Sequence, residues 1–144
     1  MLVLVAEAWG LHVALTRFRS WRPDGDDLQR RWSAVRRVQD AMYAASRPSA
    51  NLGDVLAVAR QAYADEGYPD EWRDHHQGGI IAYEGRERVA VPDDPTAIES
   101  GMALAWNPSI AGVKVEDTII VGTEGHRVVT TGEGGPPAEG AIQT

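Results

Sequence analysis

The chain has 144 residues, no cysteine and a formal charge of −7. Without thiols, disulfides and thiolate metal sites are excluded, and the acidic balance excludes a general nucleic-acid binder, which needs surplus cations to neutralise phosphates. With 43% hydrophobic and 24% charged residues, the chain reads as one soluble globular domain. No run approaches the ~20 apolar residues of a membrane span, and residues 1–6 lack the basic flank and length of a signal peptide, so the expected location is the cytoplasm.

Residues 1–6 and 10–18, rich in Val and Leu, read as two strands joined through Glu7, Trp9 and Gly10. A strand needs neighbours on both sides, and this one begins with no lead-in. Residues 23–27 read as a loop and helix start. Leu28, Trp32, Val35, Val38, Met42 and Ala45 then recur every three or four residues, one stripe of a helix that Pro48 ends. Arg30, Arg31, Arg36 and Arg37 fall on its solvated face. A second helix is expected over about 52–66, with Asn51 as N-cap and Asp54 three residues on as an acidic capping box. Val55, Leu56, Ala59, Ala62 and Tyr63 form its apolar face, and Gly67 suits the position after its end. Beyond Pro69 the pattern turns to short strands over 79–83, 102–107, 115–121 and, more weakly, 127–130, with a loop over 92–95. The Gly/Pro-rich residues 132–144 lack periodicity and read as a disordered tail. Strands, then helices, then strands indicate an α+β class.

The segment from Gly101 to Gly125, GMALAWNPSIAGVKVEDTIIVGTEG, together with DHHQGGIIAYEGRE over 74–87, resembles the catalytic half of the pita-bread peptidases. That family includes methionine aminopeptidase, Xaa-Pro aminopeptidase, prolidase and the metal-free amidinohydrolase creatinase. The resemblance implies a partial pita-bread fold, a curved, mostly antiparallel sheet with one helix pair, over residues 1–131. In the family, two aspartates of a strand hairpin, one histidine and two glutamates hold two divalent metals, which activate water and clamp the reacting oxygens. The framework is similar here: Gly10 to Arg17 takes the place of the hairpin ending in Thr-Arg, Arg47-Pro48 that of an Arg-Pro-Gly turn, and Gly101-Met102, Pro108, Gly112 and Glu116-Asp117-Thr118 match in order and spacing. The ligand positions instead fall at Val3, Ala14, Gly79 and Asn107, and Glu116 alone keeps its identity. One carboxylate and one amide do not make a Mn, Zn or Co site, so no metal or other cofactor is expected. Adjacent residues of a strand point to opposite faces, which keeps His75 and His76 from sharing an ion.

What remains is a set of candidates. His75 is either a general acid/base or a hydrogen-bonded residue at a strand end. Glu116 is an orienting or substrate-binding carboxylate that, if buried, needs His75 or Arg86 as partner. Arg86 suits an anion clamp. His76, Glu84, Glu87, Trp106 and Asn107 are further substrate-binding candidates, although Asn107 could equally cap the Pro108 turn, and Gly78-Gly79 would let a ligand approach the backbone. Arg17 reads as a structural ion-pair residue. Three functions stay open: a metal-independent hydrolase of a small C–N substrate, a non-catalytic module that binds a peptide or protein, and a fragment of a metallopeptidase. The expected partners are a small molecule or short peptide, with a second copy or an upstream segment completing the fold, and neither nucleic acid nor membrane.

Overall fold

The computed structural model describes residues 2–8, 10–17 and 25–130; the expected 132–144 tail lies outside them. Strands β1 (Leu2–Ala8) and β2 (Leu11–Arg17) form an antiparallel hairpin in register from Leu2↔Arg17 to Ala8↔Leu11. Helix α1 spans Asp26–Ala45. It begins ahead of the apolar stripe because Asp26 and Asp27 place negative charge in the first turn, where the helix dipole favours it. Its buried face is Ala34, Val35, Val38, Met42 and Tyr43. Arg30 and Arg31 pair with Asp27, Arg31 also reaches the Ala111 carbonyl, and Arg37 holds Glu66 at 2.5 Å, so the arginine face is tied down rather than merely solvated. Helix α2 (Leu52–Asp65) starts as its sequence indicates: the Asn51 N–H donates to Asp54 Oδ2 at 3.0 Å.

A single 3-10 turn over Glu71–Arg73 leads into short strands: β3 (Gly78–Ile80), β4 (Arg88–Val89), β5 (Ala103–Trp106), β6 (Ser109–Ile110), β7 (Val113–Lys114), β8 (Asp117–Val121) and β9 (His126–Val128). Five of them make one antiparallel sheet in the order β4-β3-β5-β8-β9, while β6 and β7 form their own ribbon. The strand expected over 79–83 is shorter, because the chain turns back where the Ala82 N–H meets the Glu84 carbonyl. The strand expected from 115 starts at Asp117, with Glu116 making an isolated bridge to Thr16.

Alternation along β5 and β8 divides the sheet into two faces. Leu104, Trp106, Ile119 and Val121 enter the main core beneath the helices, beside Val35, Met42, Leu52 and Tyr63. Each such side chain removed from water contributes on the order of 1.5–3 kcal/mol. Trp106 is fully buried, and its indole N–H donates to Ser46 Oγ at 2.8 Å, fastening the sheet to the end of α1. On the other face Ala105 packs with Ile81 and with Ala14 of β2. The hairpin is held there by Ala14 N–H to Thr118 Oγ1 at 2.9 Å and His12 N–H to the Ala82 carbonyl at 2.6 Å. Arg17 secures its end, donating to Asp117 Oδ1 at 2.8 Å and to the Thr130 carbonyl at 2.5 Å. Among the described residues, no helix is long and apolar enough to cross a membrane.

Candidate functional site

The hairpin side of the sheet carries the polar cluster. Lys114, Glu116 and Thr118 follow one another at alternate positions leading into β8, so they share a face. Glu116 is 3% exposed. Its Oε2 accepts from Thr16 Oγ1 at 2.9 Å, and its Oε1 from Arg86 Nη2 at 2.5 Å; Lys114 Nζ stands 3.9 Å from Oε2. A carboxylate this deep needs a cation, and of the two expected partners it takes Arg86, not His75. Arg86 Nη1 donates to the Gly85 carbonyl at 2.7 Å, and its buried Nε has no partner among the described residues.

His75 is turned elsewhere. Its Nδ1 lies 2.5 Å from the His76 carbonyl oxygen and its Nε2 lies 2.6 Å from Ser109 Oγ. A carbonyl can only accept, so in the neutral ring Nδ1 carries the proton and Nε2 accepts from the serine hydroxyl. The His76 ring stands edge-on to His75 with centroids 6.0 Å apart. Partial burial pushes its pKa below the ordinary imidazole value, and the positive Arg86 and Lys114 with the neighbouring His75 push the same way, against a smaller opposing pull from Glu116.

The remaining candidates separate. Glu87 is exposed and closes its own turn, its Oε1 accepting the Tyr83 N–H at 2.9 Å; Glu84 is also exposed, and neither is brought to the Glu116 cluster. Trp106 lies on the helix side of β5, so the expectation that it lines the site is corrected by strand parity. Asn107 is 3% exposed and stands just beyond the end of β5. Its Oδ1 is buried without a partner among the described residues, so it does not cap the Pro108 turn. Gly78 and Gly79 make room for backbone, not for a ligand. A Cβ at Gly78 would sit 2.1 Å from the Ala105 oxygen, and one at Gly79 would sit 2.0 Å from the Arg88 oxygen. Among the described residues, no three His, Asp or Glu side chains converge as metal ligands would. Thr16, Ser109 and Lys114 were not anticipated. Only Lys114 had a local signal, its two-residue spacing from Glu116.

A family model described as Metallopeptidase family M24 matches residues 2–123. An uncharacterized peptidase of Staphylococcus aureus strain MW2 is 27% identical over 122 residues, which make up 81% of this chain and 34% of that protein. The chain thus spans about a third of the length of the curated relatives it matches. Among solved structures, the dipeptidase PepE from Mycobacterium ulcerans is similar with a TM-score of 0.78 at 26% identity, over 91% of this chain and 37% of that one. The prolidase from Pyrococcus furiosus is similar in fold, with a TM-score of 0.82 at 21% identity, over 91% of this chain and 40% of that one. The partial pita-bread architecture expected from the sequence is the one found.

Proposed function

The chain belongs to metallopeptidase family M24, and from that premise we propose that it is an Xaa-Pro-peptidase-type homologue with a degenerate metal site, which hydrolyses a C–N bond in a small molecule or short peptide without a dinuclear centre. The carrying observation is the contact of Arg86 with Glu116 at 2.5 Å. A guanidinium supplies the positive charge that metals would otherwise bring to this carboxylate, and both carboxylate oxygens are already engaged. The donor set does not fit two divalent ions. Ala14 is apolar and buried against Ala105 and Ile81, and Gly79 has no room for a ligand side chain.

In this reading His75 moves the proton, as an imidazole with Nδ1 fixed as donor and Nε2 turned to the Ser109 hydroxyl. Glu116, held rigid by Thr16 and Arg86, orients a substrate N–H or C–NH₂ group. Arg86, whose Nε is unspent, draws a substrate carboxylate toward the pair, and the orphan Oδ1 of Asn107 is an acceptor for an amide N–H. A buried carboxylate paired with a guanidinium and a histidine set against a serine hydroxyl favour the hydrolase over the non-catalytic binding module. The test is turnover of amidino compounds and Xaa-Pro dipeptides with chelator present. Wild-type protein should release amine, and His75→Ala should lower the rate by about 100-fold or more. Equal rates in the two would remove His75 from the chemistry, and no turnover of any substrate would leave the binding-module reading. We also infer self-association. Leu11 and Tyr83 are 48% and 74% exposed on segments joined by the His12–Ala82 hydrogen bond, an apolar pair suited to burial against a second copy. A monodisperse monomer in light scattering would remove this part of the proposal.

A further inference from the structure

We propose that Ser109 is a nucleophile activated by His75, so that hydrolysis proceeds through an acyl-serine intermediate. The inference rests on the hydrolase reading above but adds a covalent step to it. Its basis is geometric. Ser109 Oγ is 2.6 Å from His75 Nε2, and His75 Nδ1 is 2.5 Å from the His76 carbonyl oxygen. The carbonyl fixes the tautomer and leaves Nε2 as the base facing the hydroxyl, the arrangement an activated serine needs. The serine backbone is held on both sides by Tyr63: the Ser109 N–H donates to Tyr63 Oη at 2.8 Å, and Tyr63 Oη is 2.9 Å from the Ser109 carbonyl oxygen. Tyr63 is itself fully buried, so the nucleophile sits on a rigid support.

The surroundings supply charge of the right sign. Ser109 and Lys114 are register partners in the β6–β7 ribbon, which puts their side chains on one face. Lys114 Nζ is 3.9 Å from Glu116 Oε2 and its side chain is 19% exposed. A positive side chain on the face that Ser109 occupies has the sign that offsets negative charge developing on an acyl oxygen.

The step balances without any cofactor. Ser109 Oγ forms a bond to the acyl carbon while its proton passes to His75 Nε2 and the carbonyl electron pair moves onto oxygen. Collapse of the tetrahedral intermediate breaks the bond to the leaving nitrogen or oxygen, which takes the proton from Nε2. The resulting Ser109 ester is cleaved by a solvent water, whose proton passes through Nε2 to the departing serine oxygen.

The experiment is labelling with a fluorophosphonate, located by mass spectrometry of the peptides. The proposal expects an adduct on Ser109 in the folded chain, none there in urea-unfolded protein or in Ser109→Ala, and labelling slowed by about 100-fold in His75→Gln. Failure of millimolar probe to modify Ser109, or labelling of His75→Gln at the wild-type rate, overturns it. Circular dichroism of Ser109→Ala separates chemistry from folding. If that variant is folded and still turns over an amide substrate at the wild-type rate, the covalent route is wrong and the hydrolase reading survives. If wild-type protein is labelled at Ser109 but no amide or amidine is turned over, the nucleophile stands and the C–N substrate class is wrong.

Discussion

At Glu116 one carboxylate is held by three residues from separate stretches of the chain: Thr16 from the hairpin, Arg86 from the turn after β3, and Lys114 from β7. Arg86 is 17% exposed by side chain and Glu116 3%, so removing the guanidinium strands a charge in a poorly solvated place. Arg86→Met should cost about 3 kcal/mol of stability, and Glu116→Gln less, because the amide oxygen can still accept from Thr16. The double variant should cost less than the sum by about 1–3 kcal/mol. Urea midpoints of the four proteins test this, and strict additivity would mean that the two side chains do not interact. The pairing was legible in advance, since a buried carboxylate implies a cation nearby. The Ser109–His75 contact was not, because it joins positions 34 apart and neither residue has a local pattern that announces it. Trp106 was misplaced for a different reason. Only the register of β5 against β8 tells which of its residues turn to the helices.

The elements differ in how far local sequence determines them. The stripe from Leu28 to Ala45 and the Asn51–Asp54 box are local signals, and both helices form where those signals stand. Strands β4, β6 and β7 have two residues each, too few to show alternation, and exist only because a longer neighbour pairs with them. Between β4 and β5, Gly79 has φ 153°, and its missing Cβ would meet the Arg88 carbonyl, a backbone atom that cannot swing away. Gly79→Ala should therefore detach β4 and cost about 3 kcal/mol or more, whereas Gly85→Ala, with nothing within 4 Å of the new methyl, should be close to neutral. Thermal unfolding of the pair decides it; equal melting temperatures would contradict the close approach. The loop after β4 is pinned by Asp94. Its carboxylate takes two hydrogen bonds of 3.0 Å from the Arg88 side chain and one of 3.0 Å from the Thr96 N–H, while its carbonyl accepts the Gly53 N–H at the start of α2. Those contacts, Arg88 first, hold its pKa down to about 2. A depressed carboxylate stabilises fully above its unfolded pKa, near 4, and loses that contribution as pH falls through about 2. With Arg88 half-exposed, screening reduces the effect to about 1–2 kcal/mol. The wild-type advantage over Asp94→Asn in urea should thus be constant from pH 7 to pH 5 and shrink between pH 4 and pH 2. An advantage unchanged at pH 2 would assign it to packing instead.

For the whole molecule, the fold and the chemistry of the site give separate information. The partial pita-bread architecture was legible because it rests on helix periodicity, turn glycines and the order of strands, all written along the chain, and the Pyrococcus furiosus prolidase is similar to it in fold. Metal chemistry requires something further: several anionic oxygens or imidazoles aimed at one point, each left free to bind. Here the Glu116 carboxylate is bound to Arg86 and Thr16, and Lys114 adds a second positive group nearby. A divalent ion approaching Glu116 would have to displace the guanidinium and stand against the lysine, for one carboxylate ligand. The formal charge of −7 draws cations to the surface in general, so weak binding says little and the decisive quantity is what survives extensive dialysis. Purified protein supplemented with Mn²⁺, Co²⁺ or Zn²⁺ should then retain well under one ion per chain by elemental analysis, and excess chelator should leave its melting temperature unchanged. Retention near two ions per chain, with a melting temperature that falls on chelation, would require Glu116 to leave Arg86 and would restore the metal mechanism. Arg86→Ala supplies the complementary check. If the guanidinium is what keeps ions out, that variant should bind Mn²⁺ more tightly than wild type does, and equal binding would show that the donor set, not the arginine, sets the limit.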